Sequence, residues 1–196
     1  MKRKNKVIIL GIILVIIGIV FVTIEVYPQK IIQKEEKEAL REFKENDNQT
    51  IVESTIENKE LPKPKDINYI ATIKIPKINL EKGIVGKESE YNNIEYGIEV
   101  LEESDMPDVE NGDLILASHS GNSNVSHFKN LNKLELNDIV EIRYKNSSYL
   151  YKVIDIYEID KIGEIRIEKE EVKKTLTLVT CKENTDKQIV IRCDLI

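Results

Sequence analysis

Two side chains in this sequence can do nucleophilic and acid/base chemistry near neutral pH, and each stands where a strand-like run gives way to a polar loop. Cys181 closes TLTLVTC and precedes KENTDKQ, while His119 follows LILAS and opens HSGNSN. A residue at a strand end is held by rigid backbone yet reaches solvent. A free thiol has a pKa of about 8.5 and is mostly protonated at neutral pH. A histidine or cation beside it raises the fraction present as thiolate, the nucleophilic form. The pair therefore points to covalent thiol catalysis, with the imidazole moving protons. The inventory is short, since the chain has 2 cysteines and 2 histidines.

The second member of each pair reads differently. A simple hairpin turning near Asn184 and Thr185 pairs Cys181 with Gln188. Side chains alternate faces along a strand, so Cys193 then points away from Cys181, which argues against a disulfide between them. His127 stands beside Phe128 and reads as a surface or packing histidine. There is no Cys-x-x-Cys pair and no Cys/His cluster, so a structural zinc is not expected. The net charge of −6 and the lack of a basic stripe argue against a nucleic-acid partner.

The elements that must position Cys181 and His119 lie within a chain of 196 residues, enough for one ordinary domain plus extensions. Residues 1–6 carry Lys2, Arg3, Lys4 and Lys6. Residues 7–27 are apolar apart from Glu25 near one end. A helix of that length spans about 32 Å, which matches a bilayer core. The apolar stretch is longer than that of a cleaved signal peptide and lacks a small-residue cleavage site. It reads as a transmembrane anchor. The lysines and arginine before it predict a cytoplasmic N-terminus and an exported remainder. Residues 28–66 read as a helical stalk that passes into a linker stiffened by Pro62 and Pro64.

Residues 67–196 are rich in strand signals. Strands are expected at 69–75, 112–118, 138–145, 148–160, 175–180 and 189–196, with a hairpin turn at Asn146-Ser147. Helices are expected at 91–103 and at 125–134 after an Asn124 cap, with a surface crossover around Gly163 and 168–174. Many short strands with few helices predict a mainly β fold, a closed or nearly closed barrel.

At these residues the chain resembles the sortases, cysteine transpeptidases of Gram-positive cell surfaces. TLVTC (177–181) is similar to their Thr-Leu-x-Thr-Cys motif, LASHSG (116–121) to the strand and loop bearing their histidine, and IPKINL (75–80) to their first strand region. The class is left unassigned, B- or D-like. The resemblance implies a sortase-like β-barrel in which Cys181 attacks a C-terminal sorting signal similar to Leu-Pro-x-Thr-Gly. It implies a thioacyl-enzyme intermediate, with His119 protonating the departing amine and deprotonating the incoming one. The implied acceptor is a peptidoglycan-precursor amine or a pilin lysine, and no cofactor is required. Sortases also place an arginine near the start of the last strand to position substrate and stabilise the oxyanion. Here Gln188 falls at that position, with Lys187 beside it. Arg192, four residues further on, is the arginine assigned to the role, and Gln188 and Lys187 are the alternatives. Two other readings stay open: a hydrolytic cysteine peptidase on the same barrel, and a non-catalytic surface-binding module.

Overall fold

The computed structural model describes residues 37, 38, 40, 41, 67–161 and 173–196. The expected anchor at 7–27 and most of the stalk, linker and crossover lie outside these residues. Of residues 28–66, residues 37, 38, 40 and 41 are described and helical. Among the described residues no helix is long and apolar enough to cross a membrane.

Eight strands follow one another: β1 (Tyr69–Ile75), β2 (Leu80–Val85), β3 (Glu99–Val100), β4 (Asp113–Ala117), β5 (Ile139–Tyr144), β6 (Ser147–Asp160), β7 (Thr175–Cys181) and β8 (Lys187–Leu195). They make one 8-stranded sheet in the order β2-β1-β5-β6-β8-β7-β4-β3. The edge strands β2 and β3 approach each other, so the sheet nearly closes into a barrel. Every pairing is antiparallel except β4 with β7, which run parallel.

Alternation along the strands builds the core. Ala71, Ile73 and Ile75 of β1 face the same interior as Val140 and Ile142 of β5, Leu176 and Leu178 of β7, and Ile189 and Ile191 of β8. Phe128, Leu131 and Leu134 fill the interior from the segment after β4. Each such side chain contributes about 1.5–3 kcal/mol by leaving water. β4 and β7 are buried on both faces. That explains why they read as unbroken apolar or β-branched runs and not as alternating ones. Beside β4 runs the segment before it, where Ser104 Oγ bonds both the N–H and the carbonyl of Ile115 at 2.8 Å.

Three sequence expectations are corrected. The helix expected at 91–103 is a series of turns leading into β3. Asn92 acts there as a backbone surrogate: its Oδ1 accepts from Val100 N at 2.8 Å and its Nδ2 donates to Val100 O at 2.9 Å. Asn93 Oδ1 caps Glu95 N at 2.9 Å. Asparagine side chains that bond the local backbone compete with the helix ladder. The helix expected at 125–134 is likewise turns plus one 3₁₀ turn at Leu131–Lys133. Its serines pair with each other, Ser123 Oγ to Ser126 Oγ at 2.8 Å, in place of capping a helix. The β5–β6 hairpin turns one residue earlier than expected, at Lys145 and Asn146, with φ of 48° and 61°. Two successive positive φ values are the requirement of a type I′ turn. β2 was not foreseen as a strand. Its Gly83 lies under the Tyr69 ring, where a Cβ would meet ring carbon at 2.4 Å.

Candidate active site

His119 and Cys181 leave the barrel side by side. β4 and β7 are in parallel register from Asp113↔Thr175 to Ala117↔Val179. The contact continues past the last ladder pair: Ser118 N donates to Val179 O at 3.3 Å, and Thr180 Oγ1 donates to Ser118 O at 2.7 Å. One further step brings residue 119 level with residue 181. Neighbouring strands lie about 4.8 Å apart, and level residues on parallel strands share a face. His119 and Cys181 thus follow the C-terminal ends of two adjacent strands.

The loop that starts at His119 is pinned. Its carbonyl accepts from Phe128 N at 3.1 Å. Ser118, buried, holds its hydroxyl 2.9 Å from Gly97 O and 3.2 Å from Val125 O. These bonds gather the β2–β3 loop and the segment after β4 around the imidazole. Glu95, on the first of these, sets its Oε1 3.3 Å from His119 Nε2. His127 sets its ring against Gly97 of the same β2–β3 loop.

β8 lies along the other edge of β7. Cys181 pairs with Gln188, Val179 with Val190, and Thr177 with Arg192. The turn between the strands includes Asn184 at a positive φ of 57°. Arg192 shares the face of Cys181 but sits opposite Thr177, four residues down the strand, about 13 Å away. Lys182 and Lys187 both reach Glu158 on β6, at 2.5 Å and 3.9 Å. The Lys182 ammonium bonded to Glu158 holds that carboxyl below the usual range. Cys193 is buried opposite Leu176 and Val153, facing the core, and both cysteines are free thiols. Burial pushes the Cys193 thiol up to about 12.

Sequence reasoning missed Asp113. It is 2% exposed and accepts from Thr175 Oγ1 at 2.8 Å and Thr177 Oγ1 at 3.2 Å, which ties β4 to β7 at the opposite end of their ladder from His119 and Cys181. It also missed Glu95 and Ser118. No local signal identifies them, because their partners are distant in the chain.

A cavity of about 170 Å³ opens beside Cys181, walled by Ser120, Phe128, Asn132, Thr180 and Lys182 among others. The cavity adjoins the strand end that carries the thiol, and the strand beside it ends just before the histidine.

The chain belongs to the sortase family: residues 73–196 match the Sortase domain. It is similar to a sortase D5 transpeptidase of Clostridium perfringens, with 26% identity and a TM-score of 0.63 over 83% of this chain and 99% of that one. A lid mutant of sortase A from Corynebacterium diphtheriae gives 23% identity and a TM-score of 0.59 over 67% of this chain and 72% of that one. Sortase C1 of Streptococcus agalactiae gives 24% and 0.58 over 65% and 69%. The last two establish likeness of fold. The similar structures span classes A, C and D, and the class of this chain stays unassigned. No curated protein matches it.

Proposed function

We propose that this sortase is a membrane-anchored cysteine transpeptidase. It cleaves a sorting signal similar to Leu-Pro-x-Thr-Gly in a surface protein and passes the acyl group to an amine of a cell-wall precursor or a pilin. The observation that carries the reading is the shared β4–β7 register, which sends His119 and Cys181 out together.

In this reading the Cys181 thiolate attacks the carbonyl carbon before the scissile bond. The C–S bond forms and the carbonyl electron pair moves onto oxygen. Collapse of that intermediate expels the amine, which takes a proton from His119 and leaves a thioester. An incoming amine then attacks the thioester and gives its proton to His119. The C–S bond breaks and the thiolate returns. Arginine at position 192 is one candidate for contact with substrate along β7. The apolar residues 7–27, with basic residues before them, support a bilayer anchor and a catalytic domain on the outer side.

The test is to incubate the chain with a pool of Leu-Pro-x-Thr-Gly peptides and triglycine and to read products by mass spectrometry. Ligated product, lost in Cys181→Ala, is expected. Free acid alone would make the chain a hydrolase. No product, together with a Cys181 that resists alkylation, would leave a non-catalytic module.

A further inference from the structure

The cavity that Cys181 lines lies between the loop starting at His119 and the turn from β7 to β8. Ser120 directly follows His119, and Glu183 stands two residues beyond Cys181. Lys129 follows Phe128, whose N–H donates to His119 O at 3.1 Å. These three and Asn132 line the same cavity as Cys181. Two other polar groups of the cavity wall are engaged elsewhere. Thr180 Oγ1 donates to Ser118 O at 2.7 Å, and Lys182 Nζ pairs with Glu158 at 2.5 Å. The side chains of Ser120, Lys129, Asn132 and Glu183 make no hydrogen bond or ion pair among the described residues. Ser120 is only 9% exposed, and a hydroxyl so buried normally has a partner. Lys129 and Glu183 bring opposite charges to one cavity and are not paired with each other. At about 170 Å³ the cavity is smaller than the roughly 300–1,000 Å³ that takes a drug-sized ligand, so it suits a headgroup of amino-acid size.

We propose that this cavity is the acceptor subsite, and that the acceptor it favours is an amine with a carboxylate on the same carbon, the headgroup of an amino acid. This rests on the transpeptidase reading and narrows the acceptor class within it. Glu183 attracts the ammonium toward the acylated sulfur. Lys129 takes the carboxylate, to which the Ser120 hydroxyl and the Asn132 amide also donate. The bound ammonium loses one proton to solvent. The amine then attacks the thioester carbon and gives a second proton to His119, as the C–N bond forms, the C–S bond breaks and Cys181 leaves as thiolate. The side chain of a protein lysine offers an ammonium alone and leaves Lys129 without a partner, so it is the poorer acceptor here.

Glycine and glycinamide separate this role from a structural one, since they differ in the charge beside the amine. The full chain is acylated by the Leu-Pro-x-Thr-Gly peptides with either acceptor present, and ligated product is measured against free acid. That partition does not depend on how fast Cys181 is acylated. Dividing the glycine partition by the glycinamide partition gives a selectivity, and the basicity difference of the two amines cancels when proteins are compared. In Lys129→Gln the selectivity is expected to fall by about threefold or more, a modest factor because Lys129 is exposed and its charge is screened. Lys129→Arg is expected to keep it within about twofold of the parent. Glu183→Gln is expected to lower the partition toward both acceptors. The inference is overturned if Lys129→Gln keeps the parent selectivity, if Lys129→Arg loses as much as Lys129→Gln, or if Glu183→Gln leaves both partitions unchanged. Failure of the transpeptidase reading looks different. A parent that ligates both acceptors, with a selectivity indifferent to Lys129, rejects the cavity alone. A parent that yields only free acid with either acceptor rejects both.

Discussion

His119 has one contact that orients it from outside its own strand, the Oε1 of Glu95 at 3.3 Å from Nε2. The pair is exposed, with Glu95 at 72%, so it is screened and weak. Glu95→Ala is expected to lower kcat by about two- to fivefold with KM unchanged, and Glu95→Gln to restore most of the loss. His119→Ala should cost about 100- to 10,000-fold, the range of a general acid/base, and His127→Ala should stay within about twofold of the parent. Steady-state ligation assays on purified variants check all four. The two thiols should separate as cleanly. Native protein is expected to take up one equivalent of iodoacetamide at Cys181, because Cys193 is fully buried and its thiol is pushed up. Labelling of Cys193 before unfolding would contradict the buried position.

Among the strands, β4 and β7 matter most, since their parallel register sets the site. That register is held at the end of the ladder away from the site by Asp113, which accepts from two threonine hydroxyls in a buried setting. Asp113→Ala leaves both hydroxyls without this acceptor. It is expected to destabilise the fold by about 2–4 kcal/mol, read as a shift of the urea midpoint at constant slope. The motif that drew attention to β7 in the sequence, TLVTC, thus has a second role: Thr177 bonds Asp113 and Thr180 bonds Ser118 O, while Cys181 is left at the end. A single sequence could not reveal this, because the partner residues lie more than 60 positions away. Asn92, Asn93 and the Ser123–Ser126 pair make the converse point. Window-scale patterns suggested helices, but side chains that bond the nearby backbone or each other turned the chain into loops.

Alkaline stability is a property of the whole molecule, and Cys193 gives it a sign. Its thiol rises from an ordinary value near 9 to about 12 in the folded state. Between those values the unfolded chain has lost this proton and the folded chain has kept it. Folding stability from this group is therefore complete below about pH 9 and falls as pH rises, by about 1.4 kcal/mol per pH unit. Cys193→Ala is expected to be less stable at pH 7 yet to lose less on going from pH 8 to pH 10.5. Melting temperatures of the two proteins across that interval measure the difference. An equal decline in both would remove Cys193 as a cause.

Local chemistry in the sequence sufficed to pick out the strands near 69–75, 113–117 and 175–181, the pairing of Cys181 with Gln188, and the opposite facing of Cys193. Each depends on the two-residue alternation of a strand or on a short turn. Which strands lie together was decided only by the tertiary structure. The β4–β7 neighbourhood, the Asp113 tie and the approach of Glu95 to His119 all join residues far apart in sequence. Such contacts follow from how the barrel buries its apolar faces as a whole, a condition that no window of sequence contains.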